Sequence, residues 1–485
     1  MARASESTFA HHLRAFFAGG VLSLTRLATG FVRIKYVALV LGTAGVGFLS
    51  QATQLQLLGI SIASLSMAVG IINRMGAVAG KPEYERRLLS TAFTAQTTIS
   101  LALLLGALVF ARPLTTAVFG ADALAHSPIS TLDILAVIFS VPLSVVASGY
   151  IEAVFFGSGQ YPLYVRASMW ATVLGFLATL GIIWVWRLPG AFWSFFVASA
   201  LLSTSFIVFV RRVRPLPELF RFGFDRSEAN ALIRFSAAVL VSGALVPTAR
   251  LWVGRHVIES FGIDAAGLLQ VPFAVNAYYT PFLTNALWGR MHPAVTRVGP
   301  SPEGRRELTT ALRLTVGMAT AAIVSILFLK DLLVPLAYSR AFLPAARLLP
   351  VQLFGDFFYF VGLPFTVYAL GISRLRVYLA AWVSYAIVAV VSSFALMPAF
   401  GLYGVPAGYG VSSAIGATVA LVWLITRKEE GLGGTLAVIG AGLAIVGAEC
   451  VLAWRGGHRL IEACVFGATV LSACTWLWHA RRPAA

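Results

Sequence analysis

Charged side chains are scarce in this sequence, and long stretches have none. Charged residues make up 11% of the chain and hydrophobic residues 59%, whereas a soluble domain has about 25% charged residues. A chain of this composition cannot cover a folded surface with polar groups, which excludes a soluble enzyme domain. The apolar residues recur in blocks of about 20, the length that a helix needs to cross the hydrocarbon of a bilayer.

Cysteine is nearly absent as well. The three cysteines, Cys450, Cys464 and Cys474, lie near the C-terminus without any paired spacing, which argues against a disulfide framework or a cysteine metal site. The seven histidines are scattered, and no phosphate-binding glycine loop follows a strand. We therefore expect no catalytic residues, no metal and no cofactor, and we expect that the protein is not an enzyme.

About 14 hydrophobic blocks are long enough to be membrane spans. They lie near residues 16–41, 44–72, 90–110, 131–156, 168–186, 191–210, 235–258, 267–289, 312–329, 346–370, 377–398, 401–426, 432–454 and 460–479. Most of the 36 basic residues fall in alternate loops between them. Because loops rich in lysine and arginine stay in the cytoplasm, the pattern predicts a multi-pass protein with both termini cytoplasmic. It also explains the net charge of +17 without a nucleic-acid partner.

The longest predicted cytoplasmic loop suggests a division into halves, because it is rich in arginine and contains two prolines. We predict an all-α polytopic membrane protein with two pseudo-symmetric six-helix lobes around a central cavity. The predicted parts are an N-terminal lobe (1–210), a basic cytoplasmic linker (211–234), a C-terminal lobe (235–426) and two additional transmembrane helices (427–485).

A short internal repeat supports this division. One cation and two glycines recur at a constant offset, at the junction of the first and second helix of each lobe: Lys35, Gly42 and Gly47 match Arg255, Gly262 and Gly267. Repeated halves with a binding site near the midplane are the usual build of secondary transporters. The alternative is that a tight turn between two helices requires glycine at both places.

Several cations fall within or next to the predicted spans, where a charge is costly unless it faces a cavity or a partner. The candidate residues for binding an anionic group are Arg26, Arg33, Lys35, Arg250 and Arg255. Arginine suits this role because its planar fork binds phosphate with two hydrogen bonds and stays charged. Alternatively, Arg33, Lys35 and Arg255 extend to the membrane surface from near the span ends.

Acidic and amide side chains within spans form a second set of candidates. Glu152 and Asp356 could pair with the cations or take part in ion coupling. Candidate sugar contacts are Gln51, Gln54, Asn276, Tyr279 and Asn285. The alternative for these polar side chains is that they hold membrane helices together.

The segment from Tyr36 to Gln51, continuing to Gly59 and Gly70, resembles the polysaccharide-transport branch of the multidrug/oligosaccharidyl-lipid/polysaccharide exporter superfamily. Its Wzx-type flippases of O-antigen and related repeat units are the most similar group. The resemblance covers most of the chain, including the arrangement of six, six and two helices, the basic linker and the outside segment from Pro335 to Leu349.

The resemblance implies a flippase that moves an undecaprenyl-diphosphate-linked oligosaccharide across the bacterial inner membrane for O-antigen, capsule or exopolysaccharide assembly. It implies membrane lipids as surroundings, and a polysaccharide polymerase and a chain-length regulator as candidate partners. The buried cations would then bind the diphosphate. Three alternatives stay open: a lipid II flippase, a multidrug or cation antiporter, and a non-transporting scaffold of a glycan-assembly complex.

Overall fold

The computed structural model describes residues 2–77, 81–426, 432–455, 462–469 and 472, with side chains over the same ranges except at 2–20, 76, 77, 235, 238, 285, 286 and 432. Within these residues every regular element is a helix, which confirms the predicted all-α class. The chain divides into two compact units, Met1–Asp264 and Ala265–Ala485.

The first unit contains four long helices, α1, α3, α8 and α10, and several shorter ones. The helices are α1 (Ala2–Ala63), α2 (Ala68–Ala77), α3 (Pro82–Val109), α4 (Ala111–Phe119), α5 (Ala121–Ala125), α6 (Thr131–Ser144), α7 (Glu152–Gly157), α8 (Tyr161–Val210), α9 (Leu216–Leu219) and α10 (Arg226–Phe261). A π-helical segment, Val145–Ile151, joins α6 to α7, so that Thr131–Gly157 forms one candidate membrane span.

The second unit contains seven of the described helices. They are α11 (Ile263–Ala286), α12 (His292–Val298), α13 (Pro302–Ala337), α14 (Leu349–Gly371), α15 (Leu375–Phe400), α16 (Gly404–Thr426) and α17 (Leu432–Arg455). Short π-helical or 3-10 segments at Leu287–Met291, Arg340–Arg347 and Gly401–Tyr403 connect some of them.

Sharp backbone breaks convert long helices into separate crossings. Gly42 breaks α1 and Gly401 follows α15, both at positive φ, 67° and 56°, a conformation that glycine adopts without steric cost. Arg187 breaks α8 at φ 53°. Gly42 and Arg187 lie in gaps between predicted spans, and Gly401 is the first residue of the predicted span 401–426. Gly262, the repeat partner of Gly42, also has positive φ, 83°, so the aligned glycines share a backbone conformation.

The multi-pass prediction is confirmed. In the described part of the chain, eight helices are long and apolar enough to cross a bilayer, or nine if the bent helix α10 counts as one span. Three of these eight contain the breaks described above, so they cross more than once if each break is a turn. The total of 14 remains a prediction, and the last predicted span, 460–479, lies largely outside the described residues.

Two spans form the centres of their units. The Thr131–Gly157 span is 72% buried and α14 is 61% buried, the two highest values among the candidate spans. The first packs against α1 and α8, and the second against α13, α16 and α17. Small polar side chains line the first contact: Gln56 donates to Ser140 (2.8 Å), and the Ser144 and Ser199 hydroxyls lie 2.9 Å apart. These bonds hold neighbouring membrane helices together.

The predicted linker packs against α2 and α3. Its ion pairs with α3 are Arg214–Glu85, Arg86–Glu218 at 3.3 Å and Arg87–Asp225 at 4.0 Å. Glu228, in the first turn of α10, pairs with Arg74 of α2 at 2.6 Å. The Tyr150 hydroxyl donates to the Leu219 carbonyl at 2.6 Å. Hydrogen bonds from the Ser227 side chain and from backbone N–H groups lower the pKa of Asp225, which caps α10. The compact first unit therefore includes both the linker and α10. The boundaries of the two six-helix lobes stay a prediction.

The first of the two additional C-terminal helices, α17, is joined to the second unit by side-chain bonds. The Arg313 Nε donates to Thr435 Oγ1 at 2.9 Å, and the Cys450 thiol lies 3.3 Å from the Pro350 carbonyl. Helix α17 therefore contacts α13 and α14 through specific bonds as well as through apolar surface.

Close glycine contacts between α15 and α16 provide a test of this packing. A β-carbon added at Gly408 would lie 2.6 Å from the Ser393 Cα, whereas one added at Gly416, also in α16, would meet nothing within 4 Å. We expect Gly408→Ala to cost about 1–3 kcal/mol by overpacking and to lower the melting temperature in detergent. Gly416→Ala should leave it unchanged. Equal melting temperatures for the two variants would contradict the packing described here.

Candidate functional site

Arg26 and Glu152, predicted from separate spans, lie together in the first unit. The Arg26 guanidinium donates to the Tyr164 hydroxyl at 3.3 Å, and Glu152 interacts with both the Tyr164 hydroxyl and the Arg26 charge. Tyr164 is 7% exposed, whereas Arg26 is exposed on the surface of α1. We call these three residues the arginine cluster. It combines one cation with one carboxylate around a fixed hydroxyl.

The position of the arginine cluster follows from the ends of its helices. Tyr164 lies in the first turn of α8, and Glu152 begins α7, whose last residue is Gly157. Arg26, which lies far inside a predicted span, is therefore level with the ends of neighbouring helices. In the predicted topology these are cytoplasmic ends. An arginine at this depth reaches both the membrane interface and the bilayer interior.

A second polar cluster lies in the second unit. Asp356 is 4% exposed and accepts hydrogen bonds from the Tyr279 hydroxyl at 2.7 Å and from Gln352 Nε2 at 2.8 Å. Asn276 hydrogen-bonds Tyr279 from the same face of α11. We call these four residues the aspartate cluster. Two donors for one buried carboxylate meet the need of such a group for partners.

The structure thus brings together three of the predicted polar residues, Asn276, Tyr279 and Asp356. The other amides have different surroundings. Gln51 is 2% exposed and donates to the carbonyls of Val118 (3.2 Å) and Leu251 (3.3 Å), so it ties α1 to α4 and α10. Gln54 is buried at 7% exposure. Asn285 lies in α11, but its side chain is outside what the structure describes.

The remaining predicted cations are spread along α1 and α10. Arg33 is exposed and Lys35 half-buried on α1, and Arg250 is half-buried on α10 with its Nε fully covered. Arg255 donates to the Thr116 carbonyl and pairs with Glu259 at 2.5 Å. These contacts connect Arg255 to the end of α4, while its predicted role in binding stays a prediction.

Two members of these clusters escaped the sequence analysis. Tyr164 falls in a segment predicted as a loop, because the hydrophobic block of α8 becomes clear only near residue 168. Gln352 stands four residues before Asp356 and therefore on the same helical face, a spacing that could have identified it. The aromatic residue next to this cluster, Tyr359, packs against Phe360 with ring centroids 5.4 Å apart.

Comparison with protein families gives one clear match. The family model described as polysaccharide biosynthesis protein matches residues 55–347 of the chain. The lipid III flippase of Escherichia coli (strain K12) is 21% identical over 390 residues, which cover 80% of this chain and 92% of that protein.

Solved structures agree on the fold. The lipid II flippase MurJ in an inward closed conformation superposes with a TM-score of 0.64 and 13% identity, over 96% of this chain and 99% of that one. A multidrug resistance MATE family transporter of the MOP superfamily, in an inward-facing conformation, gives 0.65 and 12% identity over 86% and 98%. At these identities the likeness establishes the fold of the superfamily.

The bond between Tyr279 and Asp356 can be tested by stability measurements. Tyr279→Phe removes one donor from a buried carboxylate, and we expect a loss of about 1–3 kcal/mol in unfolding free energy, measured in detergent. In an Asp356→Leu background the same change should cost less, because its acceptor is gone. Tyr403→Phe, outside the cluster, serves as the control. If Tyr279→Phe lowers the unfolding free energy equally in both backgrounds, the Tyr279–Asp356 bond does not contribute to stability.

Proposed function

Because the chain belongs to the polysaccharide biosynthesis protein family, within the polysaccharide-transport branch of the exporter superfamily described above, we propose that it is a flippase for an undecaprenyl-diphosphate-linked oligosaccharide. It would move this lipid from the cytoplasmic to the periplasmic leaflet of the bacterial inner membrane. The lipid III flippase of Escherichia coli, similar over 92% of its length, supports a lipid-linked substrate. The protein is a membrane transporter and not an enzyme.

The observation that carries the proposal is the arginine cluster. Arg26 is exposed on a membrane helix, where its guanidinium donates to Tyr164 and interacts with Glu152. A diphosphate offers more negative charge than one carboxylate and matches the fork of arginine. We infer that the substrate's diphosphate replaces Glu152 as the partner of Arg26. Until the substrate arrives, the interaction with Glu152 keeps the Arg26 guanidinium in place.

Further groups would extend this site. Arg250 on α10, with Arg33 and Lys35 on α1, would add positive charge to the path of the diphosphate. In the second unit, the Tyr279 hydroxyl and the Asn276 amide would contact the sugars. In this proposal Asp356 holds Tyr279 in position. The inside-negative membrane potential favours outward movement of an anion by about 2.3 kcal/mol per charge per 100 mV.

Alternating access requires that some helix contacts part and re-form. Helix α10 touches α1 and α2 along most of its length: the Ser61 hydroxyl donates to the Gly243 carbonyl at 3.1 Å, and Arg74 pairs with Glu228 at 2.6 Å. A β-carbon placed on Gly70 would lie 3.2 Å from the Ser236 hydroxyl oxygen. We infer that this contact closes the predicted cytoplasmic end of the path and opens when substrate enters.

The substrate assignment is tested by deleting the gene and measuring undecaprenyl-diphosphate-linked oligosaccharides in the membrane. We expect a completed lipid-linked unit to accumulate and wild-type protein to clear it. Arg26→Ala combined with Arg250→Ala should fail to clear it, because the diphosphate loses its charge partners. Arg112→Ala, which removes an exposed cation at the start of α4, should behave like wild type.

The outcomes of this experiment separate the alternatives. Accumulation of the peptidoglycan precursor instead would identify a lipid II flippase. If no lipid-linked sugar accumulates, the flippase assignment fails and an antiporter or a scaffold takes its place. If the double variant clears the lipid as wild type does, the protein is a flippase without the arginine site.

The proposed movement of α10 is tested by a reversible cross-link. In a variant lacking Cys450, Cys464 and Cys474, the substitutions Gly70→Cys and Ser236→Cys should form a disulfide under oxidation. We expect oxidation to stop clearance of the lipid-linked sugar and a reductant to restore it, whereas each single cysteine should have no effect. Full transport with the cross-link intact would show that α10 stays closed on α2 during the cycle.

A further inference from the structure

An apolar cleft lies within the second unit, between α14, α15 and α16. It has a volume of about 440 Å³, within the range of about 300–1,000 Å³ found for small-molecule sites. The wall includes Gly362, Trp382, Tyr385, Gly416 and Trp423. The cleft exists because α16 packs closely against both α14 and α15, whereas α14 and α15 touch each other little.

Three hydroxyl groups in the wall do not make it polar, because each donates to a backbone carbonyl. Ser412 donates to the Tyr385 carbonyl at 2.7 Å, Thr366 to the Leu363 carbonyl at 2.7 Å, and Ser384 to the Ala380 carbonyl. What these side chains present to the cleft is therefore mainly carbon. Such a wall favours a hydrocarbon over a sugar or an ion.

One end of the cleft is charged. Arg374 is the one charged residue among those that line it, and it is exposed just before α15 begins. The α14 residues in the wall run from Phe358 to Ala369, about 17 Å by helical rise, or somewhat more than half of the 30 Å hydrocarbon layer. A cleft with these dimensions fits one lipid chain whose anionic head group lies at Arg374.

We propose that this cleft is an entry site that binds the isoprenoid chain of the lipid-linked substrate, with its phosphate next to Arg374 before the diphosphate is bound at Arg26. The charge of the cleft supports this occupant. Arg374 lies at the end of the cleft where the phosphate of a bound chain would be, and no acid lines the cleft. The rings of Trp382, Trp423 and Tyr385 provide flat surfaces for a methyl-branched chain. This inference rests on the proposed flippase function and assigns the tail of its substrate.

The experiment measures binding of undecaprenyl diphosphate to the purified full-length protein by native mass spectrometry and maps contacts with a photoreactive analogue. We expect labelling of α15 and α16. Gly416→Leu should fill the cleft, since a β-carbon there meets nothing within 4 Å, and weaken binding at least about tenfold, or about 1.4 kcal/mol. Gly440→Leu, equally unobstructed but on α17, should bind as wild type.

A second pair of probes tests the charged end. Arg374→Gln should weaken binding of undecaprenyl diphosphate by about tenfold, the loss expected for a charged hydrogen bond, and leave uncharged undecaprenol unaffected. If phosphatidylglycerol competes equally with undecaprenyl diphosphate, the occupant is bulk lipid and the proposal is wrong. Labelling outside α14, α15 and α16, or wild-type binding by Gly416→Leu, would also overturn it.

The failure of this inference can be told from failure of the flippase function. If deletion of the gene leads to accumulation of the lipid-linked sugar while Gly416→Leu binds as wild type, only the tail site is wrong. If no lipid-linked sugar accumulates and undecaprenyl diphosphate does not bind, both assignments fail together.

Discussion

A peptide group in hydrocarbon has no water to bond with, so its N–H and C=O must find partners within the chain. This constraint explains why the described elements are helices and why the chain turns so sharply between them. Gly42 and Gly401 bend the backbone within single residues at positive φ, which keeps the stretch of unsatisfied backbone short. The polar side chains of this protein consequently lie on the sides of helices, and the candidate sites are built from helix faces and not from long loops.

The same constraint applies to side chains and distinguishes the two polar clusters. Asp356 is buried and has two close donors, so its hydrogen-bonding needs are met inside the protein and it fixes the position of Tyr279. Arg26 is exposed and donates to the Tyr164 hydroxyl. A satisfied buried group stabilises structure, whereas an exposed cation on a membrane helix is available to a ligand. The clusters therefore suit different tasks.

Hydrophobic blocks predicted much of the fold, because the length of a membrane span and its need for apolar residues are local properties. The gap between the first two predicted spans falls at Gly42, where the helix breaks. Arg26, Glu152 and Asp356 were recognised because a charge in a span is costly. Tyr164 was not recognised, because it falls in a segment predicted as a loop, and Gln352 was not, although its spacing to Asp356 could have identified it. The packing of α10 on α1 and α2 could not be predicted, because helical periodicity does not specify which neighbour a helix contacts.

Because α10 belongs to the first unit, the helices of this unit can pack together while the chain is still being synthesised. A ribosome releases the chain from its N-terminus, so α10 enters the membrane when its partners in α1, α2 and α3 are already present. The ion pair of Arg74 with Glu228 and the contact of Tyr150 with Leu219 can therefore form before α11 and all later helices are synthesised. Residues up to Asp264 can therefore pack together, with these bonds formed, before the rest of the chain is added.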